Sequence, residues 1–142
     1  MTVRGIEPAD DLFAAMKNEL AAAGLPTDDL LEGDARYFAL ESFGFGGYVP
    51  FGEHALLRSI VVPPGSRGSG HGTAILQALL AEARAARCRE AWLLTSDAAE
   101  FFVRHGFDSV PREQAPTAVA GTSLFRDLCS PSAVLMCQRL AA

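Results

Sequence analysis

Apolar residues recur at helical spacing in the middle of the chain, over residues 73–87. They form one stripe, made of Ile75, Leu76, Leu79, Leu80 and Ala83. This spacing predicts an amphipathic helix from Thr73 to Arg87 whose apolar stripe faces a core. A second helix is predicted over Ala9–Leu20, because acidic residues open it and Gly24 follows it.

Shorter apolar stretches predict the strands of a sheet. They are Val3–Ile6, Ala35–Glu41, Phe43–Val49, Ala55–Val62, Ala91–Thr95 and Ala133–Leu140. A tight turn joins the second to the third, which predicts an antiparallel hairpin. Pro26–Asp29 predicts a turn or the cap of a short helix, and Asp97 is expected to cap a helix over Ala98–His105. The polar stretch Pro111–Ser132 is expected to hold a helix through Leu124–Leu128.

The order of these elements predicts a single domain over residues 1–142, of α+β class with an α/β-like arrangement. The chain is 49% hydrophobic and 20% charged, as is usual for a globular protein. Its net charge of −5 disfavours nucleic-acid and anionic-membrane partners. No apolar run reaches the length of a membrane span, and the first residues lack the layout of a signal peptide. We therefore expect a cytoplasmic location.

The three cysteines, Cys88, Cys129 and Cys137, are widely spaced and form no Cys-x-x-Cys pair. Free, reduced thiols and no metal site are therefore predicted. A site for a soft metal or metalloid built from Cys129 and Cys137 is the alternative.

A glycine-rich loop, Arg67-Gly68-Ser69-Gly70-His71-Gly72, joins the Ala55–Val62 strand to the main helix. Glycines let the backbone approach a ligand, and the N–H groups at a helix start attract anions. Arg67 can add a guanidinium, so the loop predicts binding of a nucleotide or coenzyme pyrophosphate. The loop lacks Gly-Lys-Ser/Thr, and its glycine spacing differs from the dinucleotide fingerprint. A connecting turn without a ligand is the alternative reading.

Two segments carry a resemblance to a known family. Arg67-x-x-Gly70-x-Gly72, after a strand and before an amphipathic helix, resembles the pyrophosphate motif of the GNAT acyltransferases, Gln/Arg-x-x-Gly-x-Gly/Ala. Phe101–Phe107 is similar to the second signature of that family, an aromatic-rich helix that ends in Gly-Phe. The resemblance implies a GNAT fold, in which a mixed, mostly antiparallel sheet is splayed open at its centre and carries helices on both faces. It also implies acetyl-CoA as cosubstrate, and a homodimer is common in the family.

Within the family, Leu56–Ser59, Phe101-Phe102 and Leu128-Cys129 look like the small arsenic-resistance-associated N-acetyltransferases. The family resemblance further assigns residues to the coenzyme. The strand before the loop would pair with the pantetheine arm, the loop N–H groups would hold the pyrophosphate, and Thr95 would replace an asparagine. These residues are Ile60, Val61, Val62, Arg67, Gly68, Ser69, Gly70, His71, Gly72, Thr73 and Thr95.

The chain departs from the family at Phe102, where a tyrosine usually protonates the departing thiolate. Phe102 is instead expected to line the acceptor pocket. A general base is expected for the amine, and Glu53 and His54 at the start of the strand are the candidates, against the alternative of solvated charges at a strand edge. Arg58, in the middle of an apolar strand, is predicted either to grip the carboxylate of an acidic amino-acid substrate or to form a structural ion pair.

The sequence therefore predicts an N-acetyltransferase that moves the acetyl group of acetyl-CoA to the primary amine of a small molecule. An amino acid or an analogue, including an arsenic-containing one, is the expected acceptor. The alternatives are acetylation of a protein N-terminus or lysine, and a coenzyme-binding sensor without catalysis.

Overall fold

The computed structural model describes residues 2–141, which form a seven-stranded sheet with the strand order β1-β2-β3-β4-β5-β7-β6. The strands are β1 (Arg4–Ile6), β2 (Arg36–Ala39), β3 (Phe45–Phe51), β4 (His54–Val61), β5 (Glu90–Thr95), β6 (Asp108–Ser109) and β7 (Val134–Arg139). Neighbouring strands are antiparallel except β4 and β5, which are parallel. The sheet is thus mixed and mostly antiparallel, as predicted.

Helices cover both faces of this sheet. They are α1 (Asp11–Ala22), α2 (His71–Ala85), α3 (Ala99–Arg104) and α4 (Thr117–Ala120), the last followed by a π-helical turn, Leu124–Leu128. Helices α2 and α3 pack on the face that carries Ala55 and Leu57, whereas Leu56 on the other face meets α4 and the π-helical turn. Helix α1 packs on the same face as α4, over β2 and β3. Alternation of side chains along β4 separates the layers.

Helix α2 lies close against β3 because β3 carries a glycine at the contact. A Cβ atom at Gly46 would stand 2.8 Å from Ile75 Cγ2 and 2.9 Å from Leu79 Cδ1. Ile75, Leu76 and Leu79 are fully buried, and each contributes roughly 1.5–3 kcal/mol by leaving water. Gly46 therefore lets the main helix approach, although glycine is a poor strand former in isolation.

The sheet opens between β4 and β5. The two strands pair only from His54 to Leu56 on β4, opposite Glu90 to Trp92 on β5. Beyond that point β4 pairs with β3 alone, and its register shifts where Gly47 faces Arg58 and Phe45 faces Val61. Ser59, in the bulge, has a φ of 58°, a left-handed value that is uncommon for a residue with a side chain. The second edge of β4 is thus left without a strand partner among the described residues.

The predicted strands are present, and so are the helices predicted over Ala9–Leu20, Thr73–Arg87 and Ala98–His105, with ends shifted by a few residues. The helix predicted through Leu124–Leu128 is a single π-helical turn. Pro26–Asp29 is a turn and does not open a helix. The expected cap at Asp97 is wrong: the N–H of Ala98 donates to Thr95 Oγ1 at 3.0 Å, and the helix begins at Ala99. The short strand β6 was not predicted, because two residues carry no periodicity. Within residues 2–141, no helix is long and apolar enough to cross a membrane.

Candidate active site

The opening between β4 and β5 is the mouth of a cleft of about 1000 Å³. One wall is the free edge of β4 from Leu57 to Ile60, and the other is β5 from Leu93 to Thr95. The glycine-rich loop and the start of α3 close one end, which we call the coenzyme end. Residues 23–26 and 128–130 flank Arg58 at the other end, which we call the acceptor end.

The coenzyme end presents a run of free backbone N–H groups. Gly70, with a φ of 79°, precedes α2, and no side chain caps the helix. Across residues 2–141, no acceptor is paired with the N–H groups from Gly68 to Thr73. Because the positive end of the α2 dipole adds to these donors, this turn fits a pyrophosphate.

Side chains hold the loop in this shape. Arg67 Nε donates to the carbonyl oxygen of Val62 at 3.1 Å, which keeps the guanidinium beside the mouth. His71 Nδ1 donates to the carbonyl oxygen of Ser66 at 2.7 Å, and its ring stacks on Phe43. The cleft is lined by the predicted coenzyme residues on the loop except Ser69.

Helix α3 braces the start of α2. The Phe101 ring lies against Gly72, where a Cβ atom would stand 3.5 Å from Phe101 Cζ. His105 Nδ1 lies 2.8 Å from the carbonyl oxygen of Phe101, and His105 Nε2 lies 3.1 Å from Thr73 Oγ1. Two elements that line the coenzyme end are therefore joined by one imidazole.

The free edge of β4 supplies the other predicted coenzyme residues. Ile60 and Val62 line the cleft, whereas the Val61 side chain is buried under α1 on the opposite face. The predicted role of Val61 thus rests on its backbone alone. Thr95 lines the cleft with its hydroxyl already accepting the N–H of Ala98, so one donor hydrogen remains for a ligand.

Phe102 lines the cleft where the family usually places a tyrosine. Its ring is buried and contacts Phe101 and Phe107 edge-on, with centroids 5.1 and 5.6 Å apart. A phenyl ring offers no proton, so it acts here as a wall.

Arg58 lines the acceptor end and forms an ion pair with Asp29. Its Nη1 and Nη2 donate to Asp29 Oδ2 and Oδ1 at 2.7 and 2.6 Å, and its Nε donates to Ser59 Oγ at 3.1 Å. The two side chains are only 3% and 4% exposed. Burial by itself lowers the pKa of Arg58, but the hydrogen bonds and charge of Asp29 outweigh it, so the pKa is raised and the cation is kept. The expectation that Arg58 grips a substrate carboxylate is corrected, because Asp29 occupies the guanidinium fork.

Neighbours of this pair fix the acceptor end. Tyr37 donates its hydroxyl to the carbonyl oxygen of Leu30 at 2.7 Å, one residue beyond Asp29. Ser123 donates its hydroxyl to Glu32 at 2.6 Å and so ties the 24–33 loop to the segment before the π-helical turn. The Cys129 thiol lines the cleft, and burial raises its pKa although Arg58 partly opposes this. The Cys129 thiol is therefore kept in its neutral form.

Glu53 and His54, the predicted general bases, lie outside the cleft. They stand at the start of β4, six to seven residues before Ile60, which is roughly 20 Å along a strand. His54 Nδ1 is 2.8 Å from Glu90 Oε1, and Glu53 Oε1 is 3.5 Å from Arg89 Nε. Alternation does put His54 on the face of Arg58, but His54 stands at the other end of β4, so neither of the predicted bases lines this cleft.

Two features of the site were missed from the sequence. Asp29 is 29 residues from Arg58, and nothing in a Pro-Thr-Asp-Asp turn singles out that partner. The bulge at Ser59 lies inside a strand that contains no glycine or proline, so no residue of the strand marked it. Cys129 and Cys137 both pack beside the core cluster under α4, and residues 2–141 contain no group of three or more metal-ligating side chains.

Comparison with known proteins agrees with this geometry. The profile of the acetyltransferase (GNAT) domain matches residues 33–109, more than half of the chain, and these residues include the glycine-rich loop and α3. Among curated protein sequences, none matches this chain.

Solved structures share the fold at low sequence identity. N-acetylglutamate synthase from Neisseria gonorrhoeae, complexed with coenzyme A and N-acetyl-glutamate, superposes with a TM-score of 0.78 at 15% identity over 99% of this chain. This chain spans 35% of that protein. Rv2747 from Mycobacterium tuberculosis, in complex with CoA, gives a TM-score of 0.77 at 22% identity over 99% of this chain and 100% of that one.

The fold is also that of GCN5 from Tetrahymena, with a TM-score of 0.78 at 11% identity over 99% of this chain and 97% of that chain. Neighbours crystallised with CoA are consistent with acetyl-CoA as the cosubstrate. The match to the acetyltransferase (GNAT) domain, over more than half of the chain, shows that this chain belongs to the GNAT family, and the solved structures share its fold.

Proposed function

We propose that this enzyme acetylates the primary amine of a small molecule, an amino acid or an analogue of one. The observation that carries the proposal is the acceptor end of the cleft, where short loops enclose a locked ion pair and a neutral thiol. Its flanking residues are mostly apolar or uncharged: Ala23, Gly24, Leu25, Pro26, Leu128, Cys129 and Ser130. Such a pocket suits a small ligand held by shape and a few polar contacts.

The residues of the chain have separable tasks in this reaction. The N–H groups of Gly68–Thr73 bind phosphates, and the free edge of β4 orients the thioester arm. A backbone N–H on that edge polarises the acetyl carbonyl, a role typically worth about 3–4 kcal/mol for one donor. The amine nitrogen then forms the C–N bond, the C–S bond breaks, and the thiolate carries away the electron pair.

Proton transfer in this site relies on water more than on a dedicated side chain. Glu53 and His54 do not line the cleft, and Phe102, which does, has no acidic proton to donate. The amine can lose its proton to water in the open cleft. The departing thiolate, with a parent pKa near 8.5, is a fair leaving group without an acid. We therefore propose that, at saturating acetyl-CoA, the pH dependence of the rate follows the acceptor amine.

The ion pair between Arg58 and Asp29 bears on which charge the side chain of the acceptor can carry. Among the described residues flanking the acceptor end, Arg58 is the one cation, and Asp29 neutralises it. A substrate with a second carboxylate would have to displace Asp29 and leave it buried and unpaired, which is costly. We therefore propose acceptors without an acidic side chain, ahead of glutamate-like ones.

A panel of amines tests the proposal. Thiol release from acetyl-CoA is measured with neutral amino acids, glutamate, arsenic-containing amino acids, and peptides with a free N-terminus or a lysine. The arsenic-containing compounds belong in the panel because of the sequence similarity at Leu56–Ser59 and Leu128-Cys129. Turnover highest with a neutral amino acid or a neutral analogue supports the proposal.

The other outcomes separate the alternatives. Turnover with peptides alone would assign the acceptor to protein N-termini or lysines. Binding of acetyl-CoA without thiol release across the panel would indicate a coenzyme sensor. Preference for glutamate would overturn the argument from Arg58 and Asp29.

A further inference from the structure

His105 stands apart from the proposed chemistry and yet touches both elements of the coenzyme end. It lies at the end of α3, half-buried, with its ring 4.5 Å from that of Phe101. Its Nδ1 contacts the carbonyl oxygen of Phe101, and its Nε2 contacts the hydroxyl of Thr73 in the first turn of α2. Its own carbonyl oxygen accepts the Gln138 amide at 2.9 Å. Both ring nitrogens of His105 therefore have a hydrogen-bond partner within the protein.

The hydrogens in this chain of contacts can be assigned by elimination. A carbonyl oxygen only accepts, so Nδ1 carries a hydrogen. In the neutral ring Nε2 then carries none and accepts, so the Thr73 hydroxyl donates to it. Thr73 has only this one hydroxyl hydrogen. In this state its Oγ1 can therefore only accept hydrogen bonds from any other group.

A phosphate at the start of α2 changes that assignment. Thr73 lines the cleft, and its N–H is one of the free donors at the coenzyme end. A phosphate oxygen accepts only, so the Thr73 hydroxyl must donate its hydrogen to make a favourable contact. Nε2 can keep its contact with Oγ1 only if it then carries a hydrogen of its own, which makes His105 an imidazolium.

We propose that His105 is a positioning residue that takes up a proton when the coenzyme pyrophosphate binds and thereby turns the Thr73 hydroxyl toward it. The proton comes from solvent and rests on Nε2, and Nδ1 keeps its bond to Phe101. This inference rests on coenzyme binding in the cleft and adds a proton linkage to it. Uptake of a proton on binding means that the affinity for the coenzyme falls as the pH rises.

Other charged groups face the same end of the cleft. They are Arg67 and His71 on the loop, Asp97 in the turn before α3, and Arg104 on α3, while Gln138 on β7 is neutral. His71 is the one competitor for the proton, because its Nδ1 also bonds a carbonyl and its ring also lines the cleft. A test must therefore distinguish the two histidines.

The probe is dephospho-CoA, which keeps the pyrophosphate and lacks the 3′-phosphate that would titrate by itself. Calorimetry in two buffers of different ionisation enthalpy counts the protons taken up on binding. At pH 7.5 the wild-type protein should take up a measurable fraction of a proton, and at most one, per dephospho-CoA bound. Its dissociation constant should rise by several-fold, and at most about tenfold, per pH unit between pH 7 and 8.

Three variants locate the proton. His105→Phe keeps the stacking on Phe101 without nitrogens, and Thr73→Val keeps the shape without the hydroxyl. Each should abolish the uptake and weaken binding roughly tenfold at pH 6.5, the loss of one charge-assisted hydrogen bond. His71→Gln should keep the uptake.

The outcomes are distinguishable. Failure of the wild-type protein to bind dephospho-CoA or CoA would count against the coenzyme site itself. Binding without proton uptake, uptake that survives in both His105→Phe and Thr73→Val, or binding by His71→Gln without proton uptake would overturn the role of His105. His105→Gln, which carries an N–H donor that does not titrate, should bind with an affinity independent of pH between 7 and 8.

Discussion

The two ends of the cleft are built from different parts of the chain. The coenzyme end uses backbone N–H groups from one continuous loop, Gly68–Thr73, and the free edge of one strand. The acceptor end uses side chains from distant segments, with Asp29 from one loop and Arg58 from β4 held together at 2.6 Å. A site built from backbone leaves a local signature, while a site built from converging side chains leaves none. The difference predicts that the two ends respond to different mutations.

Breaking the ion pair should have the largest effect, and it should fall on stability. Asp29→Asn leaves the buried Arg58 without its counter-charge, so we expect the free energy of unfolding to drop by about 3–5 kcal/mol in urea denaturation. Asp34→Asn is the matched control, because its pair with Arg36 is exposed and should cost less than about 1 kcal/mol. Where the protein stays folded, the dissociation constant of CoA should change less than about threefold. Equal costs for the two variants would contradict a buried structural pair.

A substitution at the coenzyme end should instead affect coenzyme binding. Gly70→Val forces a β-branched residue into a φ of 79°, which costs about 1–2 kcal/mol and turns the N–H groups away from the ligand. We expect CoA affinity to fall about a hundredfold, close to 2.7 kcal/mol, by calorimetry.

Gly52→Val controls for strain alone. Gly52 has a similar φ of 62°, and both glycines have open space where a Cβ would stand, but Gly52 lies in the turn before β4, away from the cleft. It should lose similar stability and keep CoA affinity. A comparable loss of affinity in both variants would remove the special role of the loop.

Much of the coenzyme end could be predicted because its chemistry is local. Arg67, Gly70 and Gly72 share one loop, and the strand and the helix around them have strong apolar patterns. The succession of strands along the chain followed from the same patterns, and the mixed sheet was implied by the family resemblance.

The acceptor end could not be predicted in the same way. Alternation alone put His54 and Arg58 on one face, but it says nothing about how far apart two residues lie along the strand. His54 stands six positions before Ile60. The partner of Arg58 depends on how a turn after α1 packs on β4. Such a contact is a property of the tertiary structure and has no spacing rule.

A smaller effect is expected at Tyr37, which anchors the acceptor loop. Burial raises the pKa of Tyr37 to about 12, although the charge of Arg58 lowers it in part. At neutral pH, Tyr37→Phe should cost about 1 kcal/mol through the lost bond to Leu30.

Because the unfolded tyrosine ionises first, near pH 10, the folded state loses this contribution as the pH rises from 10 to 12. The stability difference between wild type and Tyr37→Phe should therefore shrink over that range. A difference that stays constant from pH 8 to 11 would show that Tyr37 ionises as easily in the folded protein.

The smallest effect should come from the remote end of β4. Glu53→Gln and His54→Gln, together or alone, should change kcat/KM for the best acceptor less than about twofold, because neither residue lines the cleft. The pH–rate profile should keep its shape. A hundredfold loss of kcat/KM, or the loss of an ionisation from the pH–rate profile, would indicate that one of the two residues is the general base.

The most direct test of the coenzyme site is a titration of the protein with CoA followed by backbone amide chemical shifts. The account predicts that the largest shifts fall on the N–H groups of Gly68–Thr73, with smaller ones at the free edge of β4 and the start of α3. Shifts that leave Gly68–Thr73 unchanged while others move would contradict it, since the free N–H groups of this loop would then hold no phosphate.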